Sequence, residues 1–227
     1  MAMVRLEARA RPDGRLERGR RTRREILSTA VELGSREGLE ALTIGRLAAC
    51  AGVSKSGLFA HFGNKQELQL ATIASARTIF VREVIGPALP AEEGLPRLRA
   101  TLAAWLDYFR RDVFAGGCFF QAASLEFDGR PGPVRDRVLE VMRDWLQWLA
   151  QLARQAGAPD GEAAVQLAFE LNAIGLATNW QRQLLGDDRA LDHAETAFGR
   201  LLKTALPQAN PPLGGRTPSG PADEEGR

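Results

Sequence analysis

The sequence predicts an all-α protein of about nine helices, and three observations lead there. No segment shows the apolar–polar alternation of a half-buried strand. Apolar residues recur instead at three- and four-residue intervals, in segments separated by breaks rich in glycine and proline at 86–90, 116–117, 128–133 and 157–160. Between residues 42 and 68, finally, Thr43, Ser54 and Asn64 each precede a short apolar-periodic run, as helix N-caps do.

Residues 1–19 are arginine-rich and carry Pro12, Asp13 and Gly14, which predicts a mobile basic arm. Such an arm either adds phosphate or minor-groove contacts or is a solvated leader. A first helix over 20–37 buries Ile26, Leu27, Ala30, Val31 and Leu33 and ends at Gly38. Thr43 then caps a helix with Ile44, Leu47, Ala48 and Ala51 on one face, which Gly52 ends in the left-handed conformation. Ser54 caps a second helix, 55–62, that sets Leu58 and Phe62 on its inner face and Lys55, Ser56, Gly57, Phe59 and His61 on the other. Two helices joined by about three residues, with glycine at the bend, form a helix-turn-helix, here at about 43–62, whose second helix enters the DNA major groove. The bland reading of the same stretch is a helical hairpin with no nucleic-acid role. Asn64 caps the following helix, and a docked motif would hold its first residue, Lys65, near a phosphate. Candidate DNA contacts are therefore Thr43, Ser54, Lys55, Ser56, Gly57, Phe59, His61 and Lys65.

That third helix continues through Leu68, Leu70, Ile73 and Ile79 to about residue 84, where Gly86, Pro87 and Pro90 mark a domain junction. Beyond it, helices are expected at 92–113, 118–127, 134–156, 161–185 and 189–206, making a second domain over 85–206 after a first over 20–80. Residues 207–227 are Pro, Gly and acid with almost no apolar residue, the composition of a disordered tail. Charge divides the same way. Residues 1–70 hold thirteen Lys and Arg against eight Asp and Glu, whereas the remainder holds seventeen against twenty. The basic excess sits with the helix-turn-helix, as expected when one module meets phosphates and the other does not.

The stretch REILSTAVELGSREGLEALTIGRLAACAGVSKSGLFAHFGNKQEL resembles the DNA-binding domain of the TetR family of bacterial transcriptional regulators. Gly34 departs from the pattern where the family commonly has an aromatic residue, and Phe59 departs where it commonly has tyrosine. GGCFFQAASLEFDGRPGPVRD resembles, less diagnostically, the C-terminal domain of one branch of that family. The resemblance implies a homodimeric repressor that binds a double-stranded, nearly palindromic operator and leaves it when a small effector binds. It also implies that the last two helices, with Leu167, Leu171, Ile174, Leu191, Phe198 and Leu202, form the dimer interface.

Eight aromatics of the second domain raise the prospect of an apolar effector pocket, and the candidate lining is Trp105, Tyr108, Phe109, Phe119, Trp145, Trp148, Asn172 and Trp180. Catalysis has little to build on. His61 lies in the helix-turn-helix, His193 has no nucleophile marked by any motif, and no phosphate-cradling glycine loop is present, so neither enzymatic activity nor a cofactor is expected. Two cysteines and two histidines offer no metal-ligand spacing and no disulfide framework, which fits a reducing cytoplasm, and no apolar run is long enough to span a membrane. Cys118 supports an alternative function, a redox or electrophile sensor, because a thiol opening a helix after two glycines can have a depressed pKa. The competing reading is a small buried apolar residue. Cys50 is expected half-buried and inert.

Overall fold

A computed structural model describes residues 14–206 of the chain. The expected arm at 1–13 and tail at 207–227 lie outside the described residues. Among those described there are nine α-helices and no strand: α1 Gly14–Glu37, α2 Ile44–Ala51, α3 Lys55–Phe62, α4 Lys65–Phe80, α5 Leu95–Arg110, α6 Phe119–Phe127, α7 Pro133–Gln155, α8 Gly161–Leu185 and α9 Arg189–Ala205.

Two elements differ from the sequence-based expectation in ways that matter. The first helix begins at Gly14 rather than at residue 20: Arg15, Leu16, Glu17 and Arg18 are good helix formers, and the single Gly19, which costs about 1 kcal/mol relative to alanine, does not end it. The fourth does not run on as α-helix to residue 84. After Phe80 it widens into a π-helical turn, Val81–Ile85, and then tightens into a 3-10 turn, Gly86–Ala88. Pro87 has no N–H to donate back along the helix, so no α-helix resumes beyond the π-helical turn.

One apolar core runs through the molecule, from Ile26 on α1 to Leu206 after α9. α4 carries it across the junction. Leu68, Thr72, Ile73 and Ala76 are buried, α4 packs against both α1 and α7, and Phe80 enters an aromatic cluster, 5.1 Å from the Trp145 ring centre and 5.6 Å from that of Tyr108. The start of α6 is pressed onto α1 from the other side. A Cβ on Gly34 would lie 3.1 Å from Phe119 Cε2, so α6 supplies at this point the aromatic ring that the TetR-like pattern places on α1 itself. Glu126, near the end of α6, accepts hydrogen bonds from the backbone N–H groups of Leu39 (2.7 Å) and Glu40 (3.0 Å), which caps the turn leading into α2.

The residues expected at a dimer interface need correction. Leu167, Leu171, Leu191, Phe198 and Leu202 are buried within the protomer, and Ile174 is half-buried against the same core. α8 is apolar nearly all round, so periodicity alone does not say which stripe faces inward. The stripe left outside is Val165, Phe169, Ala173, Ala177, Trp180 and Leu184, spaced by three and four residues along the length of α8.

Candidate nucleic-acid interface and apolar cavity

The helix-turn-helix is built by its caps. Thr43 Oγ1 accepts from Arg46 N at 3.1 Å, Ser54 Oγ from Gly57 N at 3.1 Å, and Asn64 Oδ1 from Glu67 N at 2.9 Å, so each helix start has one of its orphan donors satisfied by the residue before it. Gly52 takes the left-handed conformation at φ 66°, which turns the chain from α2 into α3 without a Cβ penalty. Leu58 and Phe62 anchor α3 in the core. Lys55, Ser56, Gly57, Phe59 and Ala60 are left exposed, with Phe59 at 58 % of its free area. Basic, hydroxyl and apolar groups on one short helix suit phosphates, base edges and thymine methyls.

Four of the candidate contacts have other partners. The hydroxyls of Thr43 and Ser54 are engaged as caps, and Ser54 Oγ also lies 3.1 Å from Ser56 Oγ. His61 is not on the exposed face of α3. It is half-buried and lines a groove with Arg23, Phe62, Glu67 and the first turn of α7. Lys65 Nζ lies 2.6 Å from Glu40 Oε1, while Gln69 Nε2 bonds the other Glu40 oxygen at 3.2 Å. The Lys65 hydrogen bond holds the Glu40 carboxyl below its ordinary value, against a smaller opposing effect of burial. Ala60, which sequence reasoning left out, shares the exposed face of α3; a small residue gives no signal of its own.

In the second domain, α4, the π-helical turn, α5, α6, α7 and α8 enclose an apolar cavity of about 70 Å³. Three of the candidate residues, Trp105, Trp145 and Asn172, line it. Trp145 Nε1 donates to Asn172 Oδ1 at 3.1 Å, while Trp105 Nε1 is buried without an acceptor among the described residues. The other candidates lie elsewhere. Tyr108, Phe109 and Phe119 are packed in the core beside the cavity, Trp148 is half-buried farther along α7, and Trp180 stands on the exposed stripe of α8. Phe80, Phe120, Gln121, Val141 and Met142 complete the wall, and an ion pair between Arg77 Nη2 and Asp144 Oδ2 (3.0 Å) spans its edge from α4 to α7. The cavity residues come from five helices, and nothing in their local sequence announces a shared cavity.

Cys118 also lines the cavity, yet its thiol is the reverse of what its place at a helix start suggested. It is 7 % exposed, and burial raises its pKa, outweighing hydrogen bonds from the Gln121 and Phe120 backbone. The neighbouring Tyr108 hydroxyl is raised further, again by burial first. A protonated, enclosed thiol is a poor nucleophile, so the redox and electrophile sensor is not supported. Cys50, expected half-buried, is exposed.

Residues 26–72 match the model described as bacterial regulatory proteins, tetR family, and residues 94–198 match the tetracyclin repressor-like C-terminal domain. The chain belongs to the TetR family. It is a transcriptional regulator with a helix-turn-helix DNA-binding domain. Among curated proteins none matches it. Among solved structures it is similar to a TetR regulator of Chloroflexus aurantiacus, with a TM-score of 0.75 at 22% identity, covering 84% of this chain and 98% of that one. It is similar also to a TetR-family regulator of Streptomyces coelicolor, with a TM-score of 0.72 at 24% identity over 82% and 96% of the two chains. A third, AibR in complex with isovaleryl coenzyme A and operator DNA, has a TM-score of 0.63 at 20% identity over 82% and 98%.

The two lysines of this TetR-family regulator are expected to behave differently. Lys55→Ala removes an exposed cation and should weaken duplex binding while lowering its salt slope by about one. Lys65→Ala breaks the pair with Glu40, which is partly exposed at 39% and 44%, and should cost about 0.5 kcal/mol of stability at neutral pH. Because pairing depresses the Glu40 pKa, that contribution persists above the unfolded value of about 4.3 and is lost as pH falls through the lower folded value. Melting of wild type and Lys65→Ala at pH 7 and pH 3 checks it. An undiminished difference at pH 3 would contradict the assignment.

Proposed function

We propose that this regulator is a homodimeric repressor that a small lipophilic effector releases from a nearly palindromic operator. The observation that carries the reading is the capped α2–α3 unit with Lys55, Ser56, Phe59 and Ala60 exposed on α3. Two such helices about 34 to 36 Å apart meet successive major grooves. The exposed apolar stripe of α8 supports the pairing of two copies, since a two-fold axis lets one stripe cover its twin. AibR, solved with isovaleryl coenzyme A and operator DNA, supports the reading that a chain of this fold has one site for a small ligand and another for an operator.

The cavity supports effector binding by its chemistry. Its walls are almost wholly apolar and include Phe80, Trp105, Phe120 and Trp145, so the favoured ligand is flat and lipophilic. About 70 Å³ holds no more than a few atoms, so the ligand enters as side chains such as Met142 and Trp145 move apart. Phe80 and Val81 in the same wall belong to the chain segment that leaves the DNA-binding domain, which makes α4 the lever. Release follows only if the ligand prefers the conformation whose reading helices are wrongly spaced.

Mobility shift on genomic fragments, repeated against a library of flat lipophilic compounds, tests the proposal. A ligand present at about 100 times its Kd should quench tryptophan fluorescence, stabilise the protein by about 2.7 kcal/mol and release DNA. Trp145→Ala should change which compounds do so, whereas Cys118→Ser should not abolish the response. If no fragment shifts, the repressor reading fails; if fragments shift and no compound releases them, only the effector is lost.

A further inference from the structure

We infer that the N-terminal overhang of α1 is a second DNA-contacting element, which grips duplex phosphates beyond those reached by the helix-turn-helix. The inference rests on the DNA-binding role of this chain. Among the described side chains of α1 the first buried one is Ile26, so the nine residues 17–25 project about 14 Å ahead of it. No residue from Glu17 to Glu25 is buried. Residues 17–25 contain five arginines against two glutamates.

The described side chains give this charge few partners within the protein. Arg21 pairs with Glu25 at 2.9 Å, and Arg23 stacks over the Phe62 ring with its guanidinium carbon 5.0 Å from the centroid. Arg18, Arg20 and Arg24 are exposed and have no carboxylate within 4.0 Å among the described residues. Arg20 and Arg24 are four apart, and Arg20 and Arg23 three, spacings at which like charges destabilise a helix. A helix this short, without a buried face, gains little from its own hydrogen bonds. What such a rod lacks is a counter-charge, and a polyanion supplies it.

Two further observations identify the polyanion as the duplex. Phe62 is the last residue of α3, so the Arg23–Phe62 stack roots the overhang beside the helix that reads DNA. Residues 17–25 offer no apolar face, with arginines distributed around the whole helix, and an interfacial membrane helix needs such a face.

The test uses the full chain and two variants, Arg18→Gln/Arg20→Gln/Arg24→Gln and the same three positions changed to Lys. Glutamine and lysine are both good helix formers, so circular dichroism should show unchanged helicity. Binding to a random-sequence duplex of about 40 base pairs is followed against KCl concentration, with Lys55→Ala measured alongside. The glutamine variant should lose about 2.7 from the slope of log K against log salt for each protomer bound, and the lysine variant should keep it. A slope unchanged in the glutamine variant, while Lys55→Ala lowers it, overturns the overhang contact and leaves DNA binding by the helix-turn-helix standing. A lysine variant as shallow as the glutamine one overturns the electrostatic account. Duplex binding absent from the unmodified chain overturns both. Binding to phosphatidylserine vesicles that the glutamine variant loses, with its duplex slope unchanged, assigns the overhang to membranes and overturns the inference.

Discussion

Phe169→Glu should convert the protein to a monomer and lower operator affinity by about a hundredfold to ten-thousandfold, because two linked reading helices bind far better than one. Phe169 is 64% exposed within the protomer, so the new carboxylate disturbs no core contact of the isolated chain. In the proposed dimer it would be buried in the α8 stripe, close to its own symmetry copy, and two desolvated like charges oppose association. Sedimentation should show half the mass with helicity retained. Phe198→Glu provides the contrast. That ring is 4% exposed and lies 6.5 Å from the Trp105 ring centre, so a charge there should unfold the domain instead of separating intact protomers. A Phe169→Glu protein that remains a dimer with full operator affinity would remove the α8 stripe from the interface.

Gly116→Ala should be among the most damaging single methyls in the described residues. A Cβ at Gly116 would fall 1.9 Å from the carbonyl oxygen of Ser35 and 2.7 Å from the Arg36 nitrogen, both backbone atoms that no rotamer change can move. The segment before α6 must therefore lift from the last turn of α1. Overpacking of this kind costs about 3 kcal/mol, which for a chain of this size lowers the melting temperature by roughly 6–12 °C. The consequence extends to function, because Phe119 on Gly34 and Glu126 on the Leu39 and Glu40 amides join the same two domains. Lifting α6 loosens all three contacts. Calorimetry that finds Gly116→Ala within about 0.5 kcal/mol of wild type would mean the domains tolerate separation there.

The helix-turn-helix was legible in the sequence because its determinants are local. Thr43, Ser54 and Asn64 cap within their own turns, Gly52 needs only its own φ, and Leu58 and Phe62 are four residues apart, so a short window contains the physics. The same holds for the nine-helix pattern, whose breaks are glycines and prolines acting on neighbouring residues. Lys65 shows where local reading ends. Its position at the start of α4 suggested a phosphate contact, but Glu40, 25 positions earlier in the chain, claims its ammonium.

Which side of a helix faces inward was decided by tertiary structure wherever the helix carries apolar residues on both sides. α8 is apolar on both sides, so the sequence by itself established its existence and length but not that Leu167 and Leu171 face the core while Phe169 and Trp180 face out. Trp105, Trp145 and Trp148 look alike as sequence, and only the packing of α5 against α7 and α8 puts the first two on the cavity. Cys118 is the sharpest case. The helix start beside it favours a thiolate, an effect visible in the sequence, whereas its enclosure among Tyr108, Phe120 and the cavity wall favours the thiol and prevails, because desolvation grows with every neighbour that folding brings to the sulfur.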